Sequence, residues 1–287
     1  MRREAAHAGF FYPETKKECE LVFQQFSERS NEVETILDIC AGIAPHAGWS
    51  FSGYTAYLVF EALKKSRPQI QTFIVFGAVH VAGVYAPCTW GKGVWNTPLG
   101  DIHVDDEIIE EIVANDLVEI KPQLHLREHS IEVLVPFIQH FFPQAKLVPI
   151  MMPVTESASA FGDKIAQMVS GNDGRNSVAT ICSTDLTHYG TRFQFVPVGI
   201  GQKSIQWVKN NNDKRIIDLM LELQDAKIVE EVQQNYNACG GGAIAATLAF
   251  AKATGKSRGK LLHYTTSWDV DPCEVVDNFV GYSGIVI

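Results

Sequence analysis

Six short apolar runs punctuate the chain: Asp38–Pro45, Thr72–Ala78, Lys146–Met152, Ser177–Ser183, Lys260–Thr266 and Phe279–Ile287. Their length, and the near-continuous apolar character of most of them, predicts strands covered on both faces. Between them apolar residues recur at helical spacing. In Gly53–Lys65 the residues Tyr57, Phe60, Glu61 and Lys64 separate onto two faces. The same period returns in Asp105–Asn115, Ser130–Phe142, Ala158–Val169, Lys214–Leu223 and Gly241–Ala253. Strands alternating with helices predict an α/β fold whose central sheet, mostly parallel or mixed, is flanked by helices. The stretch Val81–Asp101 breaks the pattern: it is rich in glycine, holds Pro87, Pro98, Trp90 and Trp95, and has no helical period. It is expected to be a long ordered loop, and loops of that length are usually functional. Asn210-Asn211-Asn212 reads as a turn between helices, and Val229–Ala238 as polar helix. With no repeat and no linker, residues 1–287 are expected to form a single domain.

Charge narrows the function. The chain carries 24 basic and 33 acidic side chains, a formal net charge of −9, with no Lys/Arg run. That balance argues against nucleic acid or an anionic membrane as partner, since both are read by basic fields. No apolar run approaches bilayer length, and Met1-Arg2-Arg3-Glu4-Ala5-Ala6-His7 is not followed by the apolar segment of a signal peptide. The six cysteines, at 19, 40, 88, 182, 239 and 273, form no CxxC pair. A reduced, cytoplasmic setting is expected.

The chemistry lies at the strand ends. His46 follows the first apolar run, His80 the second, and Asp185 and His188 the fourth. In an open α/β sheet, ligand crevices form beyond the carboxyl ends of the strands. One such histidine would be read as a satisfied loop residue; three strands releasing reactive groups at the same edge point to a site. Cys239 opens Cys239-Gly240-Gly241-Gly242 immediately before a helical run. A thiol there sits near the positive end of the helix dipole, which favours thiolate, and the glycines would let a ligand approach the backbone. A small buried residue at a tight turn is the equal alternative. Cys182, inside a strand, reads as core.

Other matches fail. Gly255-Lys256-Ser257 ends like a phosphate-binding loop, but Phe250 stands where its first glycine belongs. Gly240-x-Gly242-x-x-Ala245 follows a polar helix, not a strand, so no nucleotide cofactor is expected. His125-x-x-Glu128-His129 has the order of an inverted zinc-protease motif, but a helix pattern starts only where it ends.

Pro45-His46-Ala47-Gly48 with Ser52-Gly53, Thr97-Pro98-Leu99-Gly100, Glu128-His129-Ser130-Ile131-Glu132, Ser183-Thr184-Asp185-Leu186-Thr187-His188 and Gly281-Tyr282 occur in an order that resembles the Memo family. In prokaryotes that family is also called AmmeMemoRadiSam system protein B. The opening Ala8-Gly9-Phe10-Phe11-Tyr12-Pro13 looks like its first motif. The resemblance implies a fold like that of LigB-type class III extradiol dioxygenases, and a pocket of two histidines and a cysteine. By motif these are His46, His80 and Cys239 as metal ligands, with Asp185 and His188 lining the same pocket. It also implies AMMECR-type and radical SAM proteins as functional companions. Two departures stand out: Gly77-Ala78-Val79-His80 where the family usually reads Gly-Pro-x-His, and Trp268 where glycine is usual. The first bears on the loop carrying His80, the second on the substrate space.

Oxygen-activating iron usually has two histidines and a carboxylate; a thiolate in place of the carboxylate softens the site toward copper or zinc and leaves iron open. Three functions follow. In a metal-dependent, dioxygenase-like oxidoreductase, His46, His80 and Cys239 bind iron or copper, His188 moves a proton, and Asp185 orients or balances charge. In a zinc or metal-free hydrolase, Cys239 is the nucleophile. In a non-catalytic module the pocket binds a small molecule or peptide. The first accounts best for all five groups, because a recognition pocket needs no such set.

Overall fold

The computed structural model describes residues 1–30, 36–169 and 177–287. Its strands are β1 Arg2–Arg3, β2 Ala41–Ala44, β3 Thr72–Gly77, β4 Cys88–Thr89, β5 Val94–Thr97, β6 Gly100–His103, β7 Glu119–Ile120, β8 Lys146–Met151, β9 Val178–Ser183, β10 His188–Gly190, β11 Lys260–Thr266 and β12 Asn278–Val286. The helices are α1 Lys16–Arg29, α2 Tyr54–Ser66, α3 Asp106–Ala114, α4 Pro122–His125, α5 Val135–Phe141, α6 Ala158–Val169, α7 Gln202–Trp207, α8 Asp213–Leu221, α9 Asp225–Asn235, α10 Gly241–Ala253 and α11 Ser267–Val270.

All six expected strands form close to their expected bounds. They belong to a mixed sheet of order β10-β12-β2-β9-β3-β8-β4-β7, with β11 on β12. Its centre, β2-β9-β3-β8, is parallel throughout. The strands β2, β3 and β9 are buried at every residue, as their unbroken apolar sequences require. The parallel register leaves the carboxyl ends of β2, β9 and β3 side by side, so His46, Asp185 and His80 emerge on one edge. No helix among the described residues is long and apolar enough to cross a membrane.

Three elements differ from expectation. Val81–Asp101 is not a loop throughout: it contains β4, β5 and the start of β6. Here β5 and β6 make a hairpin closed at Thr97-Pro98-Leu99-Gly100, where Thr97 Oγ1 accepts the Leu99 N–H at 3.1 Å and Gly100 takes φ 115°. The glycines and prolines belong to turns, and Trp90 and Trp95 are buried between them. Ser130–Phe142 is helical only in pieces: a tight 3-10 turn spans Glu132–Leu134, and α5 begins at Val135 with Pro136 in its first turn, where a missing N–H costs nothing. Asn210–Asn212 is not a break; it belongs to a π turn, Val208–Asn212, that joins α7 to α8.

The most apolar helix, α10, is buried along most of its length and lies against α6, α9 and β9. Gly162 of α6 makes that contact possible: a Cβ there would lie 2.0 Å from the Ala246 carbonyl oxygen. Gly162→Ala must therefore push two helices apart, at a cost of about 1–3 kcal/mol. Thermal denaturation should show the midpoint fall by several degrees; an unchanged midpoint would contradict the packing.

Candidate metal centre

Three side chains meet at the strand edge. One donor atom from each of His46, His80 and Cys239 lies within 4.8 Å of the others. The Cys239 Sγ is 3.4 Å from His46 Nε2, close to the spacing of about 3.5 Å between neighbouring donors around a tetrahedral ion. His46 and its surroundings are buried, whereas the His80 side chain is 32% exposed and opens the group to solvent.

Each imidazole is held by its other nitrogen. Ser183 Oγ, at the end of β9, donates to the Ser130 carbonyl at 2.5 Å. It therefore accepts from His46 Nδ1–H at 2.8 Å, which leaves His46 Nε2 facing Cys239. Glu128 does the same for His80. Its Oε1 accepts His80 Nδ1–H at 3.0 Å, and its Oε2 accepts the His80 backbone N–H at 2.6 Å. Partners of this kind fix ring orientation and tautomer in metal sites.

Cys239 lies just ahead of α10, whose N-cap is Gly240. The Asp185 N–H donates to its sulfur at 3.2 Å, and the Cys239 N–H returns to the Asp185 carbonyl at 3.2 Å. Asp185 Oδ1 in turn accepts the His46 N–H at 2.9 Å and the Ala47 N–H at 3.3 Å, joining two strand-end loops. The glycines after Cys239 serve packing rather than a ligand: a Cβ on Gly242 would lie 2.0 Å from the Pro153 carbonyl oxygen, and one on Gly240 would press on Thr184.

Electrostatics follow from this geometry. Burial acts to raise the Cys239 thiol, but His46 and His80, by charge and hydrogen bonding, outweigh it and bring it down to about 5. Burial opposes protonation of His80, yet hydrogen bonds to Cys239 and Glu128 carry its pKa up to about 10. His46 is likewise raised, against burial, by Asp185 and Cys239. For Glu128 burial pushes upward, but His80 holds it well below the usual carboxylate range. Without metal, the neutral-pH cluster is a thiolate facing the His80 imidazolium, whose proton a metal ion would displace.

The residues fit a metal: three donors of suitable type converge, and hydrogen bonds orient both imidazoles. Asp185 touches the group, as its position implied. His188, on β10, does not share these contacts; its Nδ1 is 3.0 Å from the Leu186 carbonyl oxygen and its ring meets Phe193 edge-on. Glu128, Ser183 and His129 were not singled out individually by the sequence. The His129 ring lies 4.4 Å from that of His80 and 5.2 Å from that of His46, with Phe11 against it at 4.6 Å. Burial and the neighbouring histidines push its pKa down to about 3. In the sequence Glu128, His129 and Ser183 stood only within the family motifs, and Glu128-His129 also in a zinc-protease spacing that does not operate: His125 ends the short α4, while Glu128 and His129 lie beyond it. Of the two departures, Ala78-Val79 leaves His80 in the cluster, and Trp268 packs beside Tyr189, Val276 and Phe279 with its Nε1 donating to the Cys273 carbonyl at 3.2 Å.

Over residues 3–286 the chain matches the family described as Memo-like protein. It is similar to MEMO1 family proteins of Pyrococcus furiosus, at 32% identity with 100% of this chain and 99% of the relative covered. The corresponding protein of Pyrococcus horikoshii is 34% identical with the same coverage. That of Methanopyrus kandleri is also 34% identical, again over 100% of this chain and 99% of the relative.

Proposed function

Because the chain belongs to the Memo-like family, we propose that His46, His80 and Cys239 hold a transition metal, copper or iron, in a dioxygenase-like oxidoreductase acting on a small molecule. The observation that carries this reading is the convergence of the three donors with both imidazoles oriented from behind. A bound metal of this kind would supply Lewis acidity and a one-electron couple in a pocket with open positions.

The chain's own residues prepare that pocket. Ser183 and Glu128 hold the two imidazoles with their facing nitrogens toward Cys239, and the Asp185 N–H donates to the sulfur. The exposed edge of His80 is the approach for a ligand, and the rings of His129 and Phe11 form the adjoining wall. His129 is uncharged at neutral pH and so leaves the net charge of that wall unchanged.

The test is metal content of anaerobically purified protein followed by oxygen uptake with catechol-type substrates after iron or copper loading. Stoichiometric metal with substrate-dependent uptake supports the reading; absence of metal after reconstitution overturns it. Glu128→Gln should weaken metal binding about 10- to 100-fold while leaving the fold intact, because it removes the charge that orients His80. Unchanged affinity by competition titration would show that Glu128 does not act through His80.

A second reading is supported by the 3.4 Å contact between Cys239 Sγ and His46 Nε2, which suits a thiolate nucleophile in a hydrolase. Alkylation separates the two: metal loading should protect Cys239 in the first case and leave it reactive in the second.

A further inference from the structure

The His80 imidazole has two nitrogens, and the centre at the strand edge uses one of them. The other, Nδ1, faces a second convergence of donors: one atom from each of His80, Glu128 and His129 lies within 4.8 Å of the others. Glu128 Oε1 stands between two imidazoles, 3.0 Å from His80 Nδ1 and 3.5 Å from His129 Nδ1. Neighbouring donors on one small divalent ion are about 3–3.5 Å apart, as bonds of about 2.1 Å require.

The chain holds this group in place. The Ser130 N–H donates to Glu128 Oε1 at 2.9 Å and the His80 N–H to its Oε2 at 2.6 Å, which fixes the carboxylate. Arg3 Nη2 donates to the Glu128 carbonyl at 3.0 Å, and the Val133 N–H to the His129 carbonyl at 3.0 Å. Phe11 packs on the His129 ring at 4.6 Å. Glu128 is buried, whereas the His80 and His129 side chains are partly exposed, so coordination positions stay open on the solvent side.

Donor chemistry separates the two groups. Cys239 gives the first a soft thiolate. The second has two imidazoles and one carboxylate, a set that suits iron(II) or zinc(II), ions that accept nitrogen and oxygen donors. We propose that His80, Glu128 and His129 form a second metal site for such a divalent ion, with His80 shared between the two centres. The second site needs nothing of the thiolate centre except His80, so it goes beyond the proposed function and stands or falls separately. When both are filled, His80 bridges them as imidazolate. Its Nδ1 proton passes to solvent, and the bond to the second ion replaces the hydrogen bond to Glu128.

The test is an anaerobic cobalt(II) titration of the full chain that counts bound ions by elemental analysis and reads the thiolate–cobalt absorption band. Wild type should take two ions, only one of which produces the band. His129→Ala should keep that ion and lose the other, whose affinity falls by more than about 100-fold because a donor is removed outright. Cys239→Ser should lose the band and keep the second ion. Glu128 stays intact throughout, because it also orients His80 toward Cys239. Near-ultraviolet circular dichroism establishes folding; should the alanine variant not fold, His129→Phe gives the same reading with a ring kept against Phe11. In the two-ion protein, coupling through the shared imidazolate should lower the paramagnetic resonance intensity per cobalt below that of the one-ion form, and undiminished intensity would overturn the sharing of His80. A single wild-type ion that gives the band and survives in the His129 variants would overturn the second site and leave the thiolate centre standing. So would two ions that both survive there. A single ion without the band, lost in the His129 variants, would remove the thiolate centre and support the second site.

Discussion

Cys239→Ser and His80→Ala should each reduce metal affinity beyond the about 10- to 100-fold contributed by an outer hydrogen-bond partner, since each removes a donor outright. The wild-type pH profile should carry the mark of the same residues. With His80 raised to about 10, a metal must displace its proton at neutral pH, and His46 is shifted in the same direction. Affinity should therefore climb as pH rises toward 10, and binding should release protons. Cys239, down at about 5, is already ionised at neutral pH and weakens binding only in more acid solution. In His80→Ala the alkaline part of the climb should disappear. Metal-free stability follows the opposite signs of the two shifts. The His80 contribution is complete below the ordinary imidazole value near 6.5 and is lost as pH rises through about 10. The Cys239 contribution is complete above the ordinary thiol value near 9 and is lost as pH falls through about 5. Calorimetric titration in buffers of different ionisation enthalpy checks the protons; a pH-independent affinity in wild type would contradict the assignment.

Glu132→Ala should lower stability by about 3–5 kcal/mol, because it strands a buried guanidinium. Arg3 and Glu132 are both fully buried, with Arg3 Nη1 2.7 Å from Glu132 Oε2 and the guanidinium 4.2 Å over the Trp95 ring. Glu132 Oε1 also accepts the Tyr12 hydroxyl at 2.9 Å and the His7 N–H at 2.8 Å. One carboxylate thus pins the segment from Arg3 to Tyr12, which carries Phe11 onto His129. The melting midpoint should drop by about 6–20 °C. Replacing both partners with apolar residues should cost far less, since no unpaired charge is left buried. A Glu132→Ala midpoint within about 2 °C of wild type would contradict the account of this anchor.

Much of the centre was legible because local rules set it. His46 and His80 follow unbroken apolar strands, and adjacent parallel strands release their loops on one edge; Cys239 precedes an apolar helix with glycines at its start. The supporting residues were not legible in that way. His80 and Glu128 are 48 residues apart and His46 and Ser183 are 137 apart, so no spacing rule connects them. His188 carried the same strand-end signal as Asp185, but pairing of β10 with β12 joins it to the sheet edge beside Phe193. The hairpin of β5 and β6 was hidden because its glycines and prolines mark a loop as readily as a tight turn. The π turn at Val208–Asn212 was hidden because such a turn inserts into a helix without breaking it, while a run of asparagines reads as a break.

The most direct measurement is the X-ray absorption fine structure of the copper-loaded protein beside Cys239→Ser. Two imidazole ligands with one sulfur in the wild type, and loss of the sulfur in the variant, is the expected result. A coordination shell of nitrogen and oxygen alone, identical in both proteins, would contradict the ligand set on which the proposed function depends.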